Sequence, residues 1–324
     1  GFRISLAKRI SIRQIMHRQI PTLNAYCAPA VAYCGPGRTL VGGLAVVLLP
    51  ALVVLALAAV FYYVLIPYYE AQQIGAGYVM LVRATSLGTE IARGQTPRAV
   101  LFVVGLVLIV LPSLWLVLRK LHHRPFRSLF GPTLWLNWRH MAWGFGVVLL
   151  ASLLRPATLL GPMPQLAMPA IDWAALMFIA LPLIFAQAFT EEAFFRGYLQ
   201  QQLAARFASP LVWMLIPSLL FGLISYRTGT APLQLWLNIG LMAALGALAA
   251  DVTARTGNLG AAIGLHFGNS LYMLALHATG TGASGLALLQ STARSETTAA
   301  LHHFLPLALA WLLFRILMAR RNNA

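Results

Sequence analysis

The chain has 324 residues, of which 60% are hydrophobic and only 9% are charged, and its mean hydropathy is +0.77. Ordinary soluble domains contain about 25% charged residues, so this composition excludes a typical water-soluble fold. The net charge is +16, but the basic residues lie mostly between long apolar segments, where they set topology and contact anionic lipid. We therefore expect membrane lipid, and no nucleic acid, as a partner.

The N-terminal segment 1–38 is predicted to be a basic arm in the cytoplasm or on the membrane surface. No long apolar run follows its basic residues until about Leu40, a pattern that does not fit a cleavable signal sequence. Spaced apolar residues over 4–16 predict a short interfacial helix. Cys27 and Cys34 are too few for a closed zinc site, and we expect both to be reduced.

Eight apolar segments follow, each of roughly the length that crosses the hydrocarbon core of a bilayer. They predict an all-α, polytopic transmembrane bundle with about eight spans: two N-terminal spans and their connecting loop in 39–130, and a six-helix core in 131–324. The fourth should continue as one helix to about Arg206, because 187–206 contains no Pro and a single Gly. The segments lie near 40–67, 100–118, 141–160, 173–187, 211–226, 233–250, 259–278 and 304–318.

The topology follows from where Arg and Lys accumulate. The richest clusters are the N-terminal arm, 119–139 and the tail at 320–321, and eight spans place all three on one side of the membrane. We expect an integral protein of the bacterial inner membrane with both termini in the cytoplasm. The polar connection 70–98 is predicted to hold a short helix outside the bilayer, and 279–298 to be a plain external loop.

Two adjacent carboxylates, Glu191 and Glu192, lie in an apolar run. Charged residues within a membrane are costly, so they are functional candidates. Glu192 and Arg196 are four residues apart with the acid first, which favours an ion pair, whereas Glu191 points about 100° away and is free for another role. The alternative is that both glutamates are wetted at the end of a span, with Arg196 extended towards water.

A second polar group lies in a later apolar segment. His266 is followed by Asn269 and Ser270, three and four residues on, so the three share one helical face. A lone buried histidine is more often structural than catalytic, but here it has polar neighbours. Among the other histidines, His140, at the membrane interface, is the further candidate for a site residue.

The motifs resemble those of the CPBP intramembrane proteases, the family of the CAAX-processing, Abi and lysostaphin-resistance-like proteins. Glu-Glu-Ala-Phe-Phe-Arg at 191–196 is similar to the E-E-x-x-x-R signature, and 256–270 is similar to a T-G-N-L turn followed by H-x-x-x-N. Phe-Gly-Leu-Ile-Ser at 221–225 occupies the position of F-x-x-x-H. The resemblance covers about 141–276 and implies a CPBP-like core in the C-terminal two-thirds of the chain.

The resemblance also implies roles for individual residues. In the family, the first Glu and the middle His activate a water, and the later His and Asn stabilise the oxyanion. Glu191 and His266 are thus implied to be catalytic, with Glu192 and Arg196 beside them in the signature. Ser225 replaces the middle His, and Ser270 replaces the Asn, so the second motif is degenerate.

The two serines put activity in doubt. A serine hydroxyl cannot take up a proton near neutral pH, so Ser225 can orient a water but cannot act as a base. Asn269, one position early, is the nearest substitute for an oxyanion donor at Ser270. Each missing partner typically costs a factor of about 10² to 10⁴ in rate.

Three functional hypotheses remain open from the sequence. The first is an intramembrane endopeptidase that cleaves a membrane-protein or peptide substrate near the cytoplasmic face, with Glu191 as base and His266 and Asn269 as oxyanion donors. The second is a catalytically silent pseudoprotease, a scaffold or accessory subunit that binds a membrane-protein partner. The third is a transporter or channel in which intramembrane Glu and His form a proton path, disfavoured because the sequence shows no paired broken helices.

No cofactor is predicted. There is no H-E-x-x-H motif, and a zinc site would have at best three ligands, Glu191, Glu192 and His266, which we do not favour.

Overall fold

The computed structural model describes residues 20–154, 164–226, 231–279, 283–291 and 296–322. The interfacial helix expected over 4–16 lies outside these residues. The described chain is almost entirely helical, which confirms the all-α class. In chain order the helices are α1 (Pro21–Cys27), α2 (Pro36–Gln72), α3 (Ala76–Arg93), α4 (Pro97–Lys120), α5 (Trp138–Leu153), α6 (Ala170–Ala204), α7 (Leu211–Leu223), α8 (Pro232–Thr256), α9 (Gly260–Ser270, continued by a π-helical turn Leu271–Leu276) and α10 (Glu296–Asn322).

Four of the described helices, α2, α4, α6 and α8, are long and apolar enough to cross a membrane. Each of the eight predicted apolar segments contains a helix, but the apolar helix Leu211–Leu223 is shorter than a full span. The membrane bundle is therefore confirmed, and the number of eight spans stays a prediction.

Helix α6 carries the two glutamates, and its continuity follows from its sequence. It runs for 35 residues, as the absence of Pro and the single Gly in 187–206 predict. A π-helical segment, Ala193–Gln200, follows directly after Glu192. Such segments occur frequently at functional sites because they rotate the side chains that follow them. Arg196 lies within this segment.

Helix α9 packs against α5 through a stripe of glycines, Gly260, Gly264 and Gly268. A Cβ atom at Gly264 would overlap the carbonyl oxygen of Met141 in α5. Small residues four apart allow two helix backbones to approach this closely. His266 is two residues from Gly264, so it lies about 200° around the helix and faces away from α5, towards α6.

The turn before α9 is built on Gly257 and Asn258. Gly257 ends α8 with a φ of +62°, a left-handed conformation that favours glycine. The Asn258 Oδ1 atom accepts hydrogen bonds from the backbone N–H of Asn137 (3.0 Å) and Gly260 (2.9 Å). Its Nδ2 donates to the carbonyl of Trp135 at 2.9 Å. One carboxamide thus joins the N-termini of α5 and α9.

Two connecting segments differ from the expected form. The helix in the connection 70–98 is longer than the short helix predicted there, since α3 has 18 residues. The segment 279–298 is not a plain loop, because it contains a short strand. Three two-residue strands form a small sheet in the order β1-β3-β2, with β1–β3 antiparallel and β2–β3 parallel. They are β1 (Gln165–Leu166), β2 (His277–Ala278) and β3 (Leu289–Gln290).

The largest hydrophobic cluster surrounds the C-terminal half of α6. Phe195, Tyr198, Phe221, Leu245 and Leu265 are among its buried members, and they come from α6, α7, α8 and α9. The polar side chains in the C-terminal half of α6 are therefore enclosed by other helices rather than exposed to lipid.

Candidate functional site

Glu192 of α6 is the centre of a buried charged cluster. Its Oε1 atom accepts hydrogen bonds from Arg196 Nη1 at 2.9 Å and from His266 Nδ1 at 2.8 Å. All three residues are 0% exposed. The ion pair expected from the spacing of Glu192 and Arg196 is present, and the long-range contact with His266 attaches α9 to α6. The alternative in which both glutamates are wetted at the end of a span does not fit this burial.

Glu191 occupies the other side of the same imidazole. Its Oε2 lies 3.5 Å from His266 Nε2, and its Oε1 accepts a hydrogen bond from Gln187 Nε2 at 2.9 Å. The residue is 8% exposed, which makes it slightly more accessible than Glu192. The two adjacent carboxylates thus face the two nitrogens of one ring.

The hydrogen bonds define which nitrogen of His266 carries the proton. A carboxylate only accepts, so the Nδ1 atom facing Glu192 must be the donor. A ring that carries its proton on Nδ1 alone presents a lone pair on Nε2 towards Glu191. Among the described residues, neither His266 Nε2 nor Glu191 Oε2 has a hydrogen-bond partner, although both atoms are buried. Two acceptors therefore face each other across a short gap.

Phe221 forms the apolar wall of the site. Its ring packs edge-on against the His266 ring, with centroids 5.4 Å apart. The Arg196 guanidinium lies 4.5 Å from the Phe221 centroid, a cation–π distance. Phe221 is the first residue of the predicted middle motif, and its position explains why an aromatic residue at the start of that motif matters to the site.

Within the described part of the chain, no hydrogen bond joins the other predicted positions to this cluster. Ser225 is half-buried in a turn beyond the end of α7, and the structure gives its hydroxyl no hydrogen bond to Glu191, Glu192 or His266, all of which are described. Asn269 is buried, and its Nδ2 donates to Met273 Sδ at 3.4 Å. Ser270 is buried on α9.

Gln187 is a site residue that the sequence analysis did not identify. The signal was present, because Gln187 lies four residues before Glu191 on the same helix, the spacing at which side chains meet. An uncharged glutamine in an apolar run is a weaker indication of a functional site than a carboxylate.

The charged cluster is not arranged as a metal centre. No group of three or more His, Cys, Asp or Glu side chains in the described part of the chain has the geometry to hold a metal ion. Glu192 Oε1 already accepts two hydrogen bonds, and His266 Nδ1 is directed to it, which leaves Glu191 Oε2, Glu192 Oε2 and His266 Nε2 as the atoms of the cluster without a hydrogen-bond partner.

A second buried polar network lies where the segment after α4 meets the end of α6. His122 is hydrogen-bonded through Nδ1 to Gln202 (3.0 Å) and through Nε2 to Tyr198 Oη (2.9 Å), and Tyr198 Oη donates to the carbonyl of Thr39 at 3.3 Å. Burial, aided by the nearby charge of Arg124, lowers the pKa of His122 to about 4. His122 is therefore neutral at physiological pH.

Comparison with known proteins agrees with the motifs. Residues 173–272 match the model of the family described as type II CAAX prenyl endopeptidase Rce1-like. This segment contains Glu191, Glu192, Arg196 and His266, so the resemblance predicted from the motifs is confirmed over these residues. Together with the four long apolar helices, the match identifies the chain as an integral membrane protein.

One curated relative and the solved structures complete the comparison. Over 175 residues, 51% of this chain, the sequence is 28% identical to the uncharacterized protein YyaK of Bacillus subtilis (strain 168). The matched region is 57% of that protein, so the chain spans just over half the length of this relative. No solved structure matches the chain.

Proposed function

We propose that this Rce1-like chain is an intramembrane endopeptidase that hydrolyses peptide bonds near the cytoplasmic face of the bacterial inner membrane, with Glu191 as the general base. The observation that carries the proposal is a pair of buried atoms without a hydrogen bond, Glu191 Oε2 and His266 Nε2, which lie 3.5 Å apart inside apolar helices. A buried charged cluster is costly, and its retention within a membrane is typical of a functional site.

The two facing acceptors suit the binding of a hydrolytic water. A water can donate one proton to Glu191 Oε2 and the other to His266 Nε2, which leaves its lone pairs free to attack a carbonyl carbon. As the C–O bond forms, Glu191 takes the proton and a tetrahedral oxyanion results. Glu191 then returns the proton to the amide nitrogen as the C–N bond breaks.

His266 takes over the role that the family resemblance assigns to the histidine of the middle motif. Ser225 cannot serve as that base, whereas a His266 imidazole protonated on Nδ1 alone presents a lone pair beside Glu191, 3.5 Å from its Oε2. Glu192 fixes the proton on Nδ1, and Arg196 balances the charge of Glu192. Of the two oxyanion donors expected from the sequence, His266 and Asn269, this proposal keeps Asn269 in that role and gives His266 the binding of the water.

The test compares carboxylate variants for hydrolysis of a peptide library by the purified protein in proteoliposomes. Glu191→Gln should lower kcat/KM by a factor of about 10² or more, because an amide cannot act as a base. Asp172→Asn is the matched control, since Asp172 is an exposed acid at the start of the same helix. Equal turnover by wild type and Glu191→Gln would contradict the proposal.

A second function, a catalytically silent scaffold for another membrane protein, is favoured by two observations. Ser225 lies in the turn beyond α7, and the Asn269 amide is directed to a methionine sulfur. Under this alternative the natural chain has no turnover, and Ser225→His combined with Ser270→Asn creates it. Turnover by the natural chain that depends on Glu191 would exclude the scaffold function.

A further inference from the structure

A surface cavity of about 630 Å³ lies apart from the charged cluster of α6 and α9. Its wall is formed by α1, by the loop and first turn of α5, and by the turn between α8 and α9. The lining includes Thr22 and Ala25 of α1, Trp135 and Arg139 around the start of α5, and Asn258 of the turn.

The cavity lies at the level of helix ends, not in the middle of the bundle. Trp138 is the first residue of α5, and Thr256 is the last residue of α8, and both line the cavity. The ends of membrane helices lie at the headgroup level, where tryptophan is enriched because its ring is apolar and its N–H is polar. Trp135 and Trp138 are 63% and 62% exposed, which suits contact with lipid.

The charge of the cavity is positive. None of its lining residues is acidic, and Arg139 is exposed at its edge. A second exposed arginine, Arg127, lies with its guanidinium 4.3 Å from the ring centroid of Trp135. The N-terminus of α5 also faces the cavity, and its partial positive charge favours anions.

We propose that this cavity binds the headgroup of an anionic phospholipid. Arg139 and Arg127 attract the phosphate, and the Trp135 and Trp138 rings contact the glycerol and upper acyl region of the same molecule. The combination of positive charge, exposed tryptophan and interfacial depth distinguishes this occupant from a neutral lipid. The proposal stands independently of whether the chain is a protease.

The site is connected to α9 by the hydrogen bonds of Asn258. The loop that carries Trp135 donates to and accepts from this one carboxamide, which also binds the first N–H of α9. A lipid that holds the loop in place therefore stabilises the N-terminus of the helix that carries His266. Bound lipid should raise the melting temperature of the protein, since a ligand that binds only the native state stabilises it.

The experiment uses the full chain in a neutral detergent, with phosphatidylglycerol or phosphatidylcholine added in equal amounts. Bound lipid is counted by native mass spectrometry, and the melting temperature is measured in parallel. Wild type should retain phosphatidylglycerol preferentially, and Arg127→Gln with Arg139→Gln should lose about fivefold in affinity for each arginine removed. Both arginines are exposed, so the double variant should keep its fold.

The matched control is Arg119→Gln. Arg119 is also an exposed interfacial arginine stacked on a tryptophan, with its guanidinium 5.4 Å from the Trp115 centroid, but neither residue lines the cavity. This variant should retain phosphatidylglycerol as wild type does. The proposal is overturned if wild type retains both lipids equally, if the control loses as much affinity as the double variant, or if millimolar glycerol phosphate or inorganic phosphate displaces the lipid and reproduces its stabilisation.

Discussion

The Nδ1 atom of His266 donates to Glu192 Oε1 across 2.8 Å, which joins two helices at residues 74 positions apart in the chain. This contact separates the roles of the two adjacent glutamates. Glu192 is fully buried and engaged with both His266 and Arg196, so its role is to hold the site together. Each carboxylate keeps one oxygen without a hydrogen bond, but Glu191 is 8% exposed whereas Glu192 is fully buried, so Glu191 is the more accessible of the two to a substrate or a water.

Removing one partner of the buried ion pair should destabilise the protein strongly. Arg196→Met leaves the Glu192 carboxylate uncompensated, and we expect a loss of about 3 to 5 kcal/mol in the free energy of unfolding. Glu192→Leu combined with Arg196→Met should recover part of this loss. The measurement is denaturant unfolding in detergent micelles.

Arg255→Met is the control for that measurement. Arg255 and Asp251 form an ion pair with the same four-residue spacing on α8, but their side chains are 30% and 16% exposed. Water screens such a pair, so we expect a loss below about 1 kcal/mol. Similar losses for Arg196→Met and Arg255→Met would show that the burial of the Glu192–Arg196 pair does not determine how much the pair contributes to the free energy of unfolding.

The contact between α5 and α9 makes a second prediction. In Gly264→Ala, the added methyl group overlaps the backbone of Met141, which cannot move without shifting α5. We expect a loss of about 1 to 3 kcal/mol or more, together with loss of activity, because His266 is displaced. Gly146→Ala in α5 is the control, since nothing lies within 4 Å of its added Cβ. Equal melting temperatures for the two variants would contradict the close packing.

The sequence predicted the features of the site that depend on one helix. The Glu192–Arg196 pair follows from a spacing of four, and the continuity of α6 follows from the lack of helix breakers between 187 and 206. The partner of Glu192 on α9 was not predictable, because it depends on the rotation of α9. That rotation is set by the glycine contacts with α5, which are distant in sequence.

The position of the middle motif likewise depends on where a helix ends in the fold, which the sequence did not predict. The resemblance placed Ser225 at the position of the water-activating histidine, but α7 ends at Leu223 and Ser225 lies in the turn beyond it, whereas Phe221 packs on His266. The short strands β1, β2 and β3 also left no signal, since two-residue strands are too short for an alternating pattern. The number of spans depends on how helices shorter than the bilayer are placed, which composition does not determine.

Gln187 should act as a positioning residue for Glu191. Gln187→Leu removes the hydrogen bond to Glu191 Oε1, so the carboxylate can rotate away from His266. We expect kcat for peptide hydrolysis to fall about 10- to 100-fold with little change in KM, because the base is misplaced while substrate contacts persist. Gln234→Leu, which removes a similar helical contact to Asn238 on α8, is the control. A rise in KM alone would indicate that Gln187 contacts the substrate instead.

The neutral state of His122 predicts a pH dependence of stability. Its pKa is about 4 in the folded protein, against about 6.5 in an unfolded chain, so the unfolded state binds more protons between these values. Stability should therefore fall as the pH is lowered from about 6.5 to about 4, and this contribution should be constant below that range.

His122→Gln keeps a polar side chain that cannot become charged, so its melting temperature should fall less between pH 7.5 and pH 4.5 than that of wild type. His123→Gln, at the exposed neighbouring position, controls for the loss of an imidazole at the surface. Identical pH profiles for wild type and His122→Gln would mean that the buried ring does not resist protonation.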